Sequence, residues 1–247
     1  MALHPDFSME RESKVVSVAS CGADSCIFLW SREGGQPLCC LKGHKDRVNR
    51  IEFHPSGRLL ASSCSDNTWR LWDLESNQVL SEQSGHSRPV FGLAFQPDGS
   101  LLATCGADSF LRLWDLRTGS DVLLLEGHAK EVIAAAWSPD GFTLASGSED
   151  NSVRLWDIRH KKCSSIIPAH THLVSDVKFG GRNVVASCSF DNTIKLWSIS
   201  GYGGAKWTPL AVLKGHENKI ISLAINSDAS TIVSASHDKT WKSWSGI

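Results

Sequence analysis

Apolar residues recur along this chain in short alternating runs, and no stretch keeps a sustained helical period. Residues 48–53 (Val-Asn-Arg-Ile-Glu-Phe) and 174–179 (Val-Ser-Asp-Val-Lys-Phe) alternate as half-buried strands do. Breaker clusters follow at His54-Pro55-Ser56-Gly57, Gln96-Pro97-Asp98-Gly99 and Ser138-Pro139-Asp140-Gly141. Then come small-residue strands at 59–64, 101–105 and 144–147, a tight turn containing Asp, and a strand ending in Trp. The pattern predicts an all-β chain of repeated four-stranded units.

The repeat is explicit. Trp30, Trp72, Trp114, Trp156, Trp197 and Trp244 end six similar segments, with successive steps of 42, 42, 42, 41 and 47 residues. A Gly-rich insertion at 200–204 accounts for the long last step. Six residues before each Trp stands Asp24, Asp66, Asp108, Asp150, Asp191 or Asp238. Ten before stands Ser20, Ser62, Thr104, Ser146, Ser187 or Ser234. His44, His86, His128, His170 and His216 precede their Trp by 27 or 28 residues. These offsets suit one hydrogen-bonded unit used repeatedly: carboxylate accepting from imidazole, imidazole meeting hydroxyl, hydroxyl accepting from indole N–H. Ser, His and Asp could also spell a nucleophilic triad. One enzyme has no need of that trio in five successive modules, and the Trp partner occupies the hydroxyl.

A period near 42 with Gly-His early and Trp-Asp late resembles the WD-repeat (WD40) β-propeller family, in which each repeat is a four-stranded blade and this tetrad is structural. The resemblance covers nearly the whole chain, 1–247, as one propeller domain. The first segment has no Gly-His before it, and His4 aligns with the His-Pro turn of the next repeat instead. Propellers avoid open sheet edges by closing into a ring. The expectation is about six blades, taken as part of a seven-bladed ring, with a true six-bladed ring as the alternative.

Composition narrows the function classes. Twenty-five basic and 26 acidic residues give a net charge of −1, which argues against a surface that coats nucleic acid generally. No apolar run approaches a membrane span, and residues 1–14 lack the apolar core of a signal peptide. Of the eight Cys, Cys21, Cys105 and Cys188 lie nine residues before a repeat Trp and Cys64 eight before, as small strand residues rather than a disulfide framework. That usage predicts a reducing compartment, cytosol or nucleus. No H-E-x-x-H, nucleophile elbow, Walker A loop or dinucleotide fingerprint occurs. The reading is therefore of a non-enzyme with no cofactor, no metal and no small-molecule substrate.

Binding is expected at the turns before the inner strand and between the second and third strands. By repeat position the candidates are Arg47, Arg50, Arg88, Phe91, Lys130, Glu131, His172, Asp176 and Lys219. Trp69 and Trp241, three before a repeat Trp, are expected in the core between blades rather than as base-stacking platforms. Arg70, Arg112, Arg154, Lys195 and Lys242 form a basic row two before each Trp, with an inter-strand or solvated role favoured over a phosphate stripe. His170-Thr171-His172 could suggest metal, but His170 is taken by its tetrad.

Several less generic stretches go further: Thr68-Trp69-Arg70-Leu71-Trp72-Asp73-Leu74-Glu75, Glu126-Gly127-His128-Ala129-Lys130-Glu131 and Ile167-Pro168-Ala169-His170. In that order they resemble the WD-repeat subunits of the spliceosomal U4/U6 small nuclear ribonucleoprotein, the pre-mRNA-processing factor 4-like splicing factors. The resemblance implies a nuclear scaffold binding other tri-snRNP splicing factors, with U4/U6 small nuclear RNA contacted indirectly or secondarily. The alternative is a peptide-reading adaptor of a ubiquitin-ligase, chromatin or signalling complex.

Overall fold

The computed structural model describes residues 1–5, 16–32, 35–181, 183–200, 206–226 and 228–246. The charged stretch 6–14 and the Gly-rich insertion 201–204 lie outside them.

The described residues form six antiparallel meander sheets, the blades of a β-propeller, with no helix among them. With strands lettered a to d in chain order, blade 1 is Ala2–Leu3, Val18–Cys21, Ile27–Trp30 and Cys39–Leu41. Blade 2 is Val48–Phe53, Leu59–Cys64, Thr68–Asp73 and Gln78–Ser84; blade 3 is Val90–Phe95, Leu101–Gly106, Leu111–Asp115 and Ser120–Leu125. Blade 4 is Val132–Trp137, Thr143–Ser148, Val153–Asp157 and Lys162–Ile167; blade 5 is Val174–Gly180, Val184–Ser189, Thr193–Ser200 and Lys206–Lys214. Blade 6 has three strands, Ile220–Ile225, Thr231–Ser236 and Trp241–Ser245. The expected strands fall where the alternation placed them, within one or two residues.

The chain divides into two compact units, residues 1–108 with 112–122, and 109–111 with 123–247. Within the first, Ile27, Leu29 and Leu41 of blade 1 pack on Val48, Ile51 and Phe53 of blade 2. Ala61, Trp69 and Leu71 of blade 2 pack on Leu93, Leu102 and Trp114 of blade 3. Within the second, Ala145, Val153 and Leu155 of blade 4 meet Val174, Val177 and Val185 of blade 5, and Ala186, Cys188 and Ile194 meet Ile220, Leu223 and Ile232 of blade 6. Within each unit one sheet is thus the floor of the next, which suits the small residues of the b strands.

Strand a shifts register near its start in blades 2, 3, 4, 5 and 6, a bulge at one repeated place. The bulge re-aims a side chain towards the following blade. Asn49 Nδ2 donates to Val90 O at 2.8 Å, and Ser175 Oγ donates to Ile220 O at 2.6 Å.

The five tetrads are continuous hydrogen-bond chains. In blade 2, His44 Nδ1 meets Asp66 at 3.1 Å, His44 Nε2 meets Ser62 Oγ at 2.7 Å, and Trp72 Nε1–H donates to Ser62 Oγ at 2.8 Å. The same links join His86, Asp108, Thr104 and Trp114; His128, Asp150, Ser146 and Trp156; His170, Asp191, Ser187 and Trp197; and His216, Asp238, Ser234 and Trp244. Burial pulls the pKa of His44 and His128 below the ordinary value, outweighing the neighbouring carboxylate. Partial burial pushes Asp66, Asp150 and Asp191 upward, but hydrogen bonds from the imidazole, Thr or Ser hydroxyls and backbone N–H groups outweigh it and hold them far below the carboxylate range. In blades 2 and 4, then, a neutral ring donates from Nδ1 to an anion and accepts at Nε2 from the hydroxyl. Blade 1 keeps only the last link, Trp30 Nε1–H to Ser20 Oγ at 2.8 Å.

His4 does what its alignment implied. Its Nε2 lies 2.8 Å from Gly57 O and its ring sits edge-on to Phe53, just as His54 Nε2 lies 3.0 Å from Gly99 O and edge-on to Phe95.

The basic row takes inter-strand and backbone partners where these are shown. Arg70 is buried and pairs with Glu82 at 2.9 Å, Arg112 pairs with Asp121, and Lys195 Nζ donates to Ala169 O at 2.6 Å. These side chains explain the Gly of Gly-His. A Cβ on Gly43 would sit 2.2 Å from Arg70 Nη1 and 3.2 Å from Trp72. Blade 5 has Ala169 at that position and, correspondingly, Lys195 in place of Arg.

One expectation for the inter-blade core fails. Trp69 is 2% exposed and edge-on to Trp114, but Trp241 is 72% exposed. Trp69 owes its burial to Leu93, Leu102 and Trp114 of blade 3, packed against it.

Three outcomes are expected. Ser62→Ala strands a buried imidazole nitrogen and an indole N–H and should cost about 2 kcal/mol or more; Ser20→Ala, in the blade without His, should cost clearly less by urea denaturation. Gly43→Ala should destabilise by roughly 1–3 kcal/mol. Adding Arg70→Lys should recover part of it, a coupling read from a double-mutant cycle; simple additivity would contradict the clash. Finally, unfolding midpoints should fall with pH in two stages. His44 and His128 favour the neutral form when folded, so protonation of the unfolded chain removes stability below about pH 6.5. The depressed carboxylates add stability that is present above about pH 4 and is lost as pH falls further.

Candidate partner-binding face

In blades 2 to 6, two turns meet at one end of the sheet. The b–c turn donates to the turn preceding strand a: Ser65 N to Arg47 O, Ala107 N to Pro89 O, Glu149 N to Glu131 O, Phe190 N to Leu173 O, and His237 N to Lys219 O. The b–c turn is itself held by the residue after each tetrad Asp. Ser25, Asn67, Ser109, Asn151, Asn192 and Lys239 all adopt positive φ, between 60° and 70°. Asn tolerates that region best of these types, which explains its use in three blades. The tetrad Asp anchors the other turn, for Asp66 Oδ2 accepts from Lys45 N and Asp150 Oδ2 from Ala129 N. Rigid backbone therefore presents the turn side chains.

In the first unit Arg47 and Arg88 are exposed, whereas Arg50 and Phe91 are half-buried. Arg88 Nη1 donates to Ala107 O at 3.3 Å, and Phe91 offers its carbonyl to Ser63 Oγ at 3.2 Å. Lys45 is exposed beside them. The nearby Asp46 side chain accepts from Arg47 N, and Asp66 and Asp108 are committed to imidazoles. Asp46 is exposed as well, so the patch sets three basic side chains, Lys45, Arg47 and Arg88, beside one exposed carboxylate.

In the second unit Lys130, His172 and Lys219 are exposed and Glu131 is half-buried. Lys130 lies 3.6 Å from Glu149, and Lys219 Nζ sits 4.9 Å over the Phe190 ring. Asp176 corrects the sequence reading: it is 0% exposed. Its Oδ1 accepts from Val177 N, and its Oδ2 from Ser222 Oγ and Leu223 N at 2.9 and 3.2 Å. Hydrogen bonds from Ser222 and Leu223 of the next blade hold this side chain inward, so Asp176 joins blades 5 and 6 instead of lining the presented face.

Sequence reasoning also missed Trp207, whose indole donates to Ser165 Oγ at 2.5 Å and ties strand d of blade 5 to strand d of blade 4. It belongs to no repeated offset, so no periodic signal marks it. His44, Cys64 and Asp66 place three potential metal-ligand atoms within 4.8 Å of one another. Each has a protein partner already: Cys64 Sγ donates to Asp46 O at 3.2 Å, and burial pushes its thiol up to about 12. His170 likewise uses both ring nitrogens, which leaves His172 alone.

Comparison with known proteins follows the same frame. A family model described as the IFT122 first beta-propeller matches residues 10–200, and the WD domain, G-beta repeat model matches 207–245. The U4/U6 small nuclear ribonucleoprotein PRP4 of Saccharomyces cerevisiae is 39% identical over 82 residues, 32% of this chain and 16% of that protein. The U4/U6 small nuclear ribonucleoprotein PRP4-like protein of Arabidopsis thaliana is 45% identical over 60 residues, 24% of this chain and 10% of that protein. The ribosome biogenesis protein ytm1 of Neosartorya fischeri is 36% identical over 80 residues, 31% of this chain and 16% of that protein. The matched stretches span a sixth or less of these relatives. With six Trp-ended repeats, five of them with complete tetrads, and a family match over most of its length, the chain belongs to the WD40 β-propeller family, in the group that the IFT122 first-propeller model describes.

Proposed function

We propose that this WD40 scaffold is a non-catalytic, nuclear subunit of the U4/U6 small nuclear ribonucleoprotein and its tri-snRNP, binding partner splicing factors through its presented turns. The observation that carries this reading is the pair of U4/U6 ribonucleoprotein relatives, 39% and 45% identical over the matched stretches. The basic turn patch of the first unit, with Arg47 and Arg88 exposed, suits an acidic partner segment or RNA phosphate as a secondary contact. The non-catalytic part rests on the tetrads. Ser62 and Ser146, the hydroxyls a triad would need, each accept an indole N–H at 2.8 Å and stay fully buried. A second reading has its own support. The ytm1 relative is nearly as similar, so a scaffold of ribosome biogenesis is the competing assignment.

The test is capture of the tagged chain from its own cells under gentle salt, followed by sequencing of the bound RNA and identification of the proteins. U4 and U6 RNAs with tri-snRNP proteins are the expected result. Pre-ribosomal RNA with assembly factors would replace the splicing role by the ribosomal one, and a complex without either RNA would indicate a peptide-reading adaptor. Arg47→Glu combined with Arg88→Glu should lower partner recovery by about tenfold while leaving thermal unfolding unchanged.

A further inference from the structure

Blade 1 departs from its siblings at a set of positions that lie together. It has no tetrad His. Where blades 2, 4, 5 and 6 place a hydroxyl donating to the tetrad Asp (Thr68, Ser152, Thr193 and Thr240), blade 1 has Cys26. Where blade 2 pairs Arg70 with Glu82 across strands c and d, blade 1 pairs Phe28 with Cys40. Cys26 precedes Phe28 by two residues, so strand alternation puts Cys26 and Cys40 on one face of the sheet. Register sets them as diagonal neighbours, with Cys40 opposite Phe28 and Leu41 opposite Ile27, and burial, with Cys26 nearby, pushes the Cys40 thiol upward. Both are free and only half-buried. The other two cysteines of the blade, Cys21 and Cys39, face the opposite way and pack against the Ile27, Leu29 and Leu41 core. The polar device of the other blades has been replaced here by a dithiol.

We propose that Cys26 and Cys40 are a redox pair, converted by exchange with a small-molecule disulfide such as glutathione disulfide into a cross-strand disulfide of blade 1. One thiolate attacks a sulfur of glutathione disulfide and releases one glutathione, giving a mixed disulfide. The second protein thiolate attacks that bond on the protein sulfur and releases the other glutathione. Two protein thiols are oxidised, one glutathione disulfide is reduced to two glutathione molecules, and the two protons leave with them. Cys26 and Cys40 are diagonal neighbours across strands c and d, so closing the bond takes side-chain rotation together with a local adjustment of the short strand d. The bond would act on a lightly paired part of the blade, since strand d spans only Cys39–Leu41. A chain resting in a reducing compartment would hold the dithiol, and a partly exposed disulfide is of the labile kind that oxidant pulses form and reductant removes.

The experiment equilibrates the full reduced chain in buffers of rising glutathione disulfide, blocks remaining thiols with N-ethylmaleimide, and maps peptides by mass spectrometry. The eight free thiols should fall to six, with a Cys26–Cys40 cross-linked peptide, and dithiothreitol should restore all eight. The oxidised chain should unfold at a higher temperature than the reduced one. Cys26→Ser should abolish that difference and stop the reaction at a glutathione adduct on Cys40. All eight thiols remaining free at excess oxidant would overturn the proposal, as would a disulfide joining either residue to any other cysteine. The mapping is made on the unaltered chain, so it decides the matter whether or not the variant folds.

Discussion

Every blade with a complete tetrad depends on a histidine buried between two partners of opposite hydrogen-bonding sense. A carboxylate can only accept, so the ring nitrogen facing it must carry the proton. The far nitrogen is then left as an acceptor for a hydroxyl, and the hydroxyl oxygen is left to accept from indole. One proton position propagates through four residues of the turn before strand a, strand b, the b–c turn and strand c. In His44 and His128 burial keeps the ring neutral, which preserves this directionality, because a protonated ring could no longer accept from Ser62 or Ser146. Mutual dependence of this kind makes the network worth more than its separate links and costly to break at any one of them.

The chain also solves a space problem with that network. Indole, guanidinium and the backbone of the Gly-His turn converge, and only hydrogen fits at Gly43 because Arg70 lies against it. Blade 5 shows the other solution, with Ala169 fully buried beside a lysine whose ammonium reaches the Ala169 carbonyl. A narrower cation leaves room for a methyl group. The pair of positions, rather than either alone, carries the constraint.

Fixed offsets made most of this legible before any coordinates. The five tetrads, the strand order and the equivalence of His4 with His54 all depend on interactions within one repeat or between identical places in successive repeats. What stayed hidden depends on context instead. Asp176 and Arg50 occupy the same repeat position after the same bulge, yet Ser222 and Leu223 of the next blade donate to Asp176 and hold it inward as a bridge between blades. Trp69 and Trp241 share a position as well, yet Trp69 is buried against Trp114 of blade 3 whereas Trp241 is exposed. Trp207 sits in a strand outside the repeated offsets and finds its partner 42 residues earlier in the chain. Sequence periodicity reports what repeats, and these residues matter for how repeats differ.

The same distinction governs function. The tetrad Asp residues fix the backbone of the presented turns through bonds that do not depend on which side chain those turns carry, so Lys45, Ser87, Ala129, Thr171 and Glu217 can vary in charge and size on one frame. Variation without loss of preorganisation is what a binding scaffold needs, since turn atoms already held in place lose little entropy when a partner docks. It also separates the two kinds of change open to such a chain. Under the proposed function, exchanging Arg47 or Arg88 would alter what is bound, whereas exchanging Ser62 or His44 would alter whether there is a surface to bind with. The identity of the partner is therefore written in the positions that the repeat leaves free.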